Sequence, residues 1–181
     1  MKSVAVPLAL IPVFAPLLAA AQPLRSTPDL GKTEAQCRPG ETGPAFMVDV
    51  IGLKDWKGRL KLEVYPANDG DFLADDNILI SAGKTFRRVE LLVPNERMPK
   101  LCVRLPGPGR YAVTLLHDRN TDRKFNFTID GIGFSANPRL GLSKPKSAAV
   151  AATAGNALTP LRIVLNYRTG LLSFGPLKKP R

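Results

Sequence analysis

Three stretches of the chain carry residue types that could do chemistry. In Asp118-Arg119-Asn120-Thr121-Asp122, oxygen-bearing side chains recur at alternate positions, as at the start of a calcium-binding loop. The later positions do not follow. Arg123 replaces the glycine that turns such a loop, and Ile129 stands where a bidentate acid closes it. Arg119, Arg123 and Lys124 would also repel a cation. The preferred reading has Asp118 and Asn120 folding back onto backbone amides to shape the loop. No metal or other cofactor is expected, and Asp118, Asn120 and Asp122 are the alternative ligand set.

His117, the only histidine, adjoins Asp118 and could serve as a general base. Such a site needs a Ser or Cys within reach and a group that orients the ring. Ser135 is a candidate nucleophile, but nothing in the spacing requires it to approach. His117 shares an alternating face with Tyr111, Val113 and Leu115, so it is expected to close the core at a strand's end. A second polar cluster, Asp69, Asp71, Asp75 and Asp76, should lie at the pole opposite the Asp118 loop, unless an extra strand at residues 78–80 intervenes. Trp56 sits in what reads as the first hairpin loop, flanked by Lys54 and Lys57. It could stack on a sugar ring; capping the end of the core is preferred.

Charge is the third feature. All fifteen acids lie between Asp29 and Asp130, whereas residues 131–181 hold eight Lys and Arg and no acid. A concentrated basic region attracts anionic surfaces. In an exported protein these are anionic lipid, lipopolysaccharide, acidic glycan or extracellular DNA, and not intracellular nucleic acid. Charge that only confers solubility is the alternative. The expected contacts are Arg162 and Arg168, read as one outward strand face, with Lys178, Lys179 and Arg181 in a tail behind Leu171, Leu172 and Phe174, and Trp56.

Short strands must position these groups. Seventeen prolines, fifteen glycines and brief apolar runs disfavour long helices. Residues 46–51, 59–65, 86–93, 101–105, 111–117, 148–153 and 161–167 read as seven strands, with 119–145 mostly loop. In the second strand Leu60, Leu62 and Val64 face a core, while Lys61 and Glu63 face water. The expected fold is all-β, an antiparallel two-sheet sandwich over residues 45–170, between an arm (22–44) and a basic tail (171–181).

Cys37 and Cys102 are the only cysteines. In an oxidising compartment two thiols usually form one bridge; free buried thiols are the alternative. Alternation sets Cys102 with Arg104, opposite Leu101, Val103 and Leu105, so a bridge would staple the arm across the outside of a sheet. Export is expected from the first residues. Lys2, an uncharged apolar run from Val4 to Ala21, and Ala19-Ala20-Ala21 have the layout of a signal peptide cleaved after Ala21. Pro7, Pro12 and Pro16 interrupt that run as a membrane anchor, and Gln22 in place of a cysteine disfavours a lipoprotein. The mature chain should be soluble, not membrane-spanning, and periplasmic or secreted.

Three motifs in order carry a resemblance: Gly109-Arg110-Tyr111-Ala112-Val113, His117-Asp118-Arg119-Asn120, and Gly133-Phe134-Ser135-Ala136-Asn137-Pro138. With Gly58 to Tyr65 and Asp71-Phe72-Leu73 upstream, the chain resembles a bacterial exported family, domain of unknown function 2141, over roughly residues 37–168. The resemblance implies a transthyretin-like or immunoglobulin-like sandwich, and a cysteine pair as in one branch of the family. It brings no catalytic residues. Thr128-Ile129-Asp130-Gly131-Ile132 departs from the family's longer Pro-containing segment, which puts any ligand role of that segment in doubt. The function expected is a non-catalytic exported module binding an anionic envelope component. A structural or accessory envelope protein is the alternative, and a hydrolytic enzyme using His117 is disfavoured. If the export reading holds, the intact mass of protein recovered from the periplasm or medium begins at Gln22; a mass that includes Met1 overturns it.

Overall fold

The structure, a computed structural model, describes residues 23–141, 143–171 and 173–177. Residues 1–21, where a signal peptide is expected, and Leu172, Lys178, Lys179 and Arg181 lie outside the described residues. In chain order the elements are β1 (Ala45–Ile51), β2 (Arg59–Pro66), α1 (Asp76–Ser81), β3 (Arg87–Leu92), β4 (Lys100–Arg104) and β5 (Gly109–Asp118). After them come β6 (Gly131–Phe134), a 3₁₀ turn (Ser147–Val150), β7 (Ala151–Ala154), β8 (Leu158–Val164), β9 (Asn166–Arg168) and β10 (Phe174–Pro176).

The strands form two sheets. The small one has the order β4-β1-β8, and the large one β10-β9-β6-β5-β2-β3, with β7 also paired to β5. Alternation decides what faces what. Leu60, Leu62 and Val64 of β2 and Val113 and Leu115 of β5 meet Phe46, Val48 and Val50 of β1 and Leu101 and Val103 of β4 in one core between the sheets. Burying each such side chain contributes roughly 1.5–3 kcal/mol. The chain is thus an all-β two-sheet sandwich, as its patterning indicates.

The large sheet is covered on its other face as well. Every residue of β5 from Tyr111 to Asp118 is buried, as in strands sandwiched between two layers. Phe72, Leu79, Phe86, Phe134 and Val150 pack there around Tyr65 and Ala112. Glu63 is therefore not on a wet face, as alternation alone suggests. It is 6 % exposed and takes Arg88 Nε at 2.8 Å and the Tyr65 hydroxyl at 2.9 Å.

Other expectations change with the topology. Residues 78–80 belong to α1 and not to an extra strand; Leu79 anchors that helix on the outer core. Residues 119–145 contain β6, which is too short and glycine-rich to show alternation. The expected strand 148–153 starts as the 3₁₀ turn, and only β7 is extended. β1 and β2 lie in different sheets, so Trp56 sits on a crossing between sheets and not in a hairpin. Not all pairing is antiparallel, since β1 and β8 run parallel, Ala45 opposite Leu158 through Ile51 opposite Val164.

The most consequential correction concerns residues 161–167. They alternate like one strand but form two, β8 in the small sheet and β9 in the large one, with buried Leu165 at the crossing. Arg162 and Arg168 therefore belong to different sheets and share no strand face. The expected tail also starts too early, because Phe174 to Pro176 pair with β9 as an edge strand.

The Cys37–Cys102 bridge is formed, with Cα atoms 5.6 Å apart. It staples the arm over the outer face of the small sheet. The Cys102 amide donates to Ala35 O at 3.0 Å, and the covered Cys102 is 1 % exposed. Closing the 65-residue separation stabilises the fold by about 4 kcal/mol in the chain-entropy model. The double variant Cys37→Ala/Cys102→Ala should lose stability of that order in urea unfolding and become insensitive to reductant; unchanged stability would remove the bridge from the fold's energetics.

Candidate functional site

His117 is fully buried at the end of β5, its ring between the sheets. Nε2 lies 2.8 Å from the Lys57 carbonyl, which can only accept, so Nε2 carries the proton. Nδ1 is then bare and accepts from the Tyr167 hydroxyl at 2.7 Å. That hydroxyl in turn accepts from the Lys54 amide at 3.2 Å. Ser135 does not approach. Its amide pairs with Val113 O, four residues back along β5, or about 13 Å of strand, and its hydroxyl donates to Val150 O. His117 and Ser135 thus have separate, satisfied partners.

Other motif residues set how closely strands and sheets approach and how their turns close. A Cβ on Gly133 would stand 2.7 Å from Val164 O, so only glycine admits β8 this close to β6. Gly131 likewise gives its space to the Tyr167 ring. Asn137, at a φ of 48°, donates to Arg162 O and accepts from Val164 N, completing the edge of β8 like a piece of strand. The Tyr111 hydroxyl donates to Gly107 O, closing the turn that leads into Gly109. Trp56 is 46 % exposed, its indole N–H donating to Glu96 O at 3.3 Å. Asp118, Asn120 and Asp122 stay together in the loop after β5, at the pole opposite the 69–76 acids, since Arg59 and Asp118 are paired and Pro66 opposes Tyr111.

A separate concavity lies over the outer face of the large sheet. It is an apolar groove of about 400 Å³ walled by Leu73, Phe125, Phe127, Phe134 and Phe174, with Lys144 at its rim. Phe174 stacks on Phe127 at 5.0 Å and meets Phe125 edge-on at 6.0 Å. Phe125 and Leu73 nonetheless remain 44 % and 39 % exposed. At Leu140 and Phe174 the groove opens into a more polar concavity of about 620 Å³ that holds Arg139, Asn137 and Asn166. Lys144 Nζ donates to Phe72 O at 3.0 Å and stands 5.9 Å from the Phe72 ring centroid. Among the described residues, Arg139, Lys144, Arg162 and Arg168 have no carboxylate within ion-pair distance, whereas Lys146 pairs with Asp69.

Of the expected contacts, then, Arg162 and Arg168 are separated, Trp56 stands apart, and Lys178, Lys179 and Arg181 lie outside the described residues. The groove's walls are residues that sequence reasoning passes over. Phe125-Asn126-Phe127, two aromatics in an otherwise polar loop, was the available signal. Its junction with Leu73 and Phe174 needs the fold.

Burial lowers the His117 pKa below its ordinary 6.5, against the opposing pull of the Lys57 carbonyl and Asp55. The unfolded chain therefore takes up the proton first as pH falls. The stability that neutral His117 contributes is full above about pH 6.5 and declines from there through the lower folded value. No other side chain in the protein ordinarily titrates there. The melting temperature should fall from pH 7 to pH 5, and His117→Gln should flatten that slope; an unchanged slope would show that His117 protonates freely in the fold.

Neither the curated proteins nor the solved structures compared include a match to this chain. A family model does match it, over residues 48–161, from within β1 to within β8. That span contains the pinned histidine, the β6 glycines and the loop bearing Phe125 and Phe127, and on it the chain belongs to the family described as "Uncharacterized protein conserved in bacteria (DUF2141)".

Proposed function

We propose that this is an exported, non-catalytic binding module, periplasmic or secreted, whose ligand is an amphipathic anion of the lipid class. The observation that carries this reading is the groove. Phe125, Phe127 and Phe174 leave an apolar channel beside Lys144 and Arg139, neither of which has a carboxylate partner among the described residues. Aromatic walls accept an acyl chain by burial of apolar area, and the rim cations meet a phosphate or carboxylate headgroup. Anionic lipid or the lipid portion of lipopolysaccharide fits this mixture better than an acidic glycan, which would leave the aromatic walls wet. The disulfide supports an oxidising compartment. No helix among the described residues is long and apolar enough to cross a membrane, consistent with a ligand met from outside the bilayer.

Flotation with vesicles tests this. The protein should bind phosphatidylglycerol vesicles, bind phosphatidylcholine vesicles far less, and release as salt rises. Each rim charge near an anionic surface is worth about 1 kcal/mol, about five-fold in affinity. Arg139→Ala and Lys144→Ala should each weaken binding by about that factor, and Phe127→Ser should weaken it without altering the salt slope. Equal binding to both vesicle types, or none, would overturn the lipid reading and leave an accessory envelope protein whose charge serves solubility.

A further inference from the structure

By its spacing alone the loop after β5 is a poor cation site, since Arg123 stands for the loop glycine and Ile129 for the closing acid. The fold supplies an acid that this spacing does not count. Asp130, just before β6, comes beside Asp118 and Asp122, and one carboxylate oxygen from each of the three lies within 4.8 Å of the others. Among the described residues no other trio of His, Cys, Asp or Glu side chains converges this way. None of the three is ion-paired among the described residues.

A second observation points to a ligand. Asp118 is 1 % exposed, and its Oδ1 is buried without a hydrogen-bond partner among the described residues. Its Oδ2 accepts from the Arg123 amide at 2.8 Å, so the carboxylate is fixed in place with one oxygen left over. Leaving such an oxygen bare in the interior is costly, and more so for a charged group. Asp130 is held as firmly, its Oδ1 taking the Arg119 amide at 2.9 Å and its Oδ2 the Asn126 amide at 2.8 Å. Each of those oxygens keeps a second lone pair. Asp122 is exposed and closes the trio from the solvent side.

The basic residues that argued against a cation are mostly turned elsewhere. The Arg119 guanidinium is held by Asp55, with Nη2 to Oδ2 at 2.5 Å, and donates to Ile129 O at 3.0 Å. The Arg123 guanidinium reaches Glu90 across the sheet at 3.3 Å. Only Lys124 stays near in sequence without a carboxylate partner among the described residues. We propose that Asp118, Asp122 and Asp130 bind a hard divalent cation of calcium's size, with water completing the shell. Carboxylate oxygens on an adaptable loop suit calcium over magnesium, which demands a tighter octahedron. Three side chains with water suggest the weak affinity of extracellular modules, a Kd of about 10⁻⁴–10⁻³ M.

The site stands independently of what fills the groove, and its test uses no lipid. Protein freed of metal by chelator is melted, and titrated calorimetrically, with calcium chloride or magnesium chloride. The expected result is a melting temperature several degrees higher in millimolar calcium, a smaller rise in magnesium, and a calcium heat that saturates in the stated range. Asp122→Asn changes an exposed residue and should fold normally in chelator; it should lose the heat and the calcium-dependent rise. Asp118→Asn, which keeps the shape of the buried carboxylate, should lose them too. No thermal or calorimetric response to calcium, or a response that survives Asp122→Asn, overturns the proposal.

Discussion

One buried hydrogen bond ties the chain just past the β8–β9 crossing to the end of β5, at the pole where most of the motif residues meet, that between the Tyr167 hydroxyl and His117 Nδ1. It is a constraint before it is an energy. Tyr167 lies just beyond Leu165, where the chain leaves the small sheet for the large one, and its ring needs the space left by Gly131. Its hydroxyl takes the Lys54 amide from the opposite crossing, between β1 and β2. The β1–β2 and β8–β9 crossings therefore converge on the same phenol, whose ionisation burial pushes to higher pH. A histidine here needs no chemistry of its own. Its two ring nitrogens suit a position that must accept from one crossing's side chain and donate to the other's backbone, and a lone carboxylate or lysine could not do both.

The outer layer depends on a second polar centre. Arg88 bonds Glu63 at 2.8 Å and Asp76 at 3.0 Å, and lies over the Phe86 ring at 4.9 Å. Removing one partner from such a buried group is strongly destabilising, even where the whole set could be replaced by apolar side chains at little cost. The Arg88 backbone meanwhile accepts from Thr33 N and donates to Gly31 O, each at 2.8 Å, so the arm covers the exposed edge of β3. One residue thus connects the arm, α1 and the sheet, and closes an edge that would otherwise be open to strand addition.

How much of this was legible from the residues depends on the range of the physics involved. Alternation located β1 to β5 within a residue or two, because their inward sets face a core. The two cysteines likewise indicated their bridge and the arm's path. Alternation could not report that residues 161–167 change sheets, since a strand crossing between sheets keeps the same period. It could not show the second covering layer either, although the absence of charge in Ala112, Thr114 and Leu116 is its trace. The β6 glycines read as loop because their role is the absence of a side chain opposite β8 and Tyr167. The Asp118 loop was visible, but its third acid was not, because a spacing rule drawn from one loop type does not transfer to a loop that ends in a strand.

The parallel pairing of β1 with β8 bears on how the chain reaches this state. The partners are separated by about 110 residues, and closing that span costs entropy before any contact is made. A chain emerging from its N-terminus can form β2, β3 and β5 by neighbouring reversals, yet β1 must stay half-paired, with β4 alone, until Leu158 to Val164 arrive. The parallel ladder is thus among the last contacts available in vectorial folding. Fragments that stop short of residue 158 would display a raw strand edge, where pairing with another chain, or a protease, could find them.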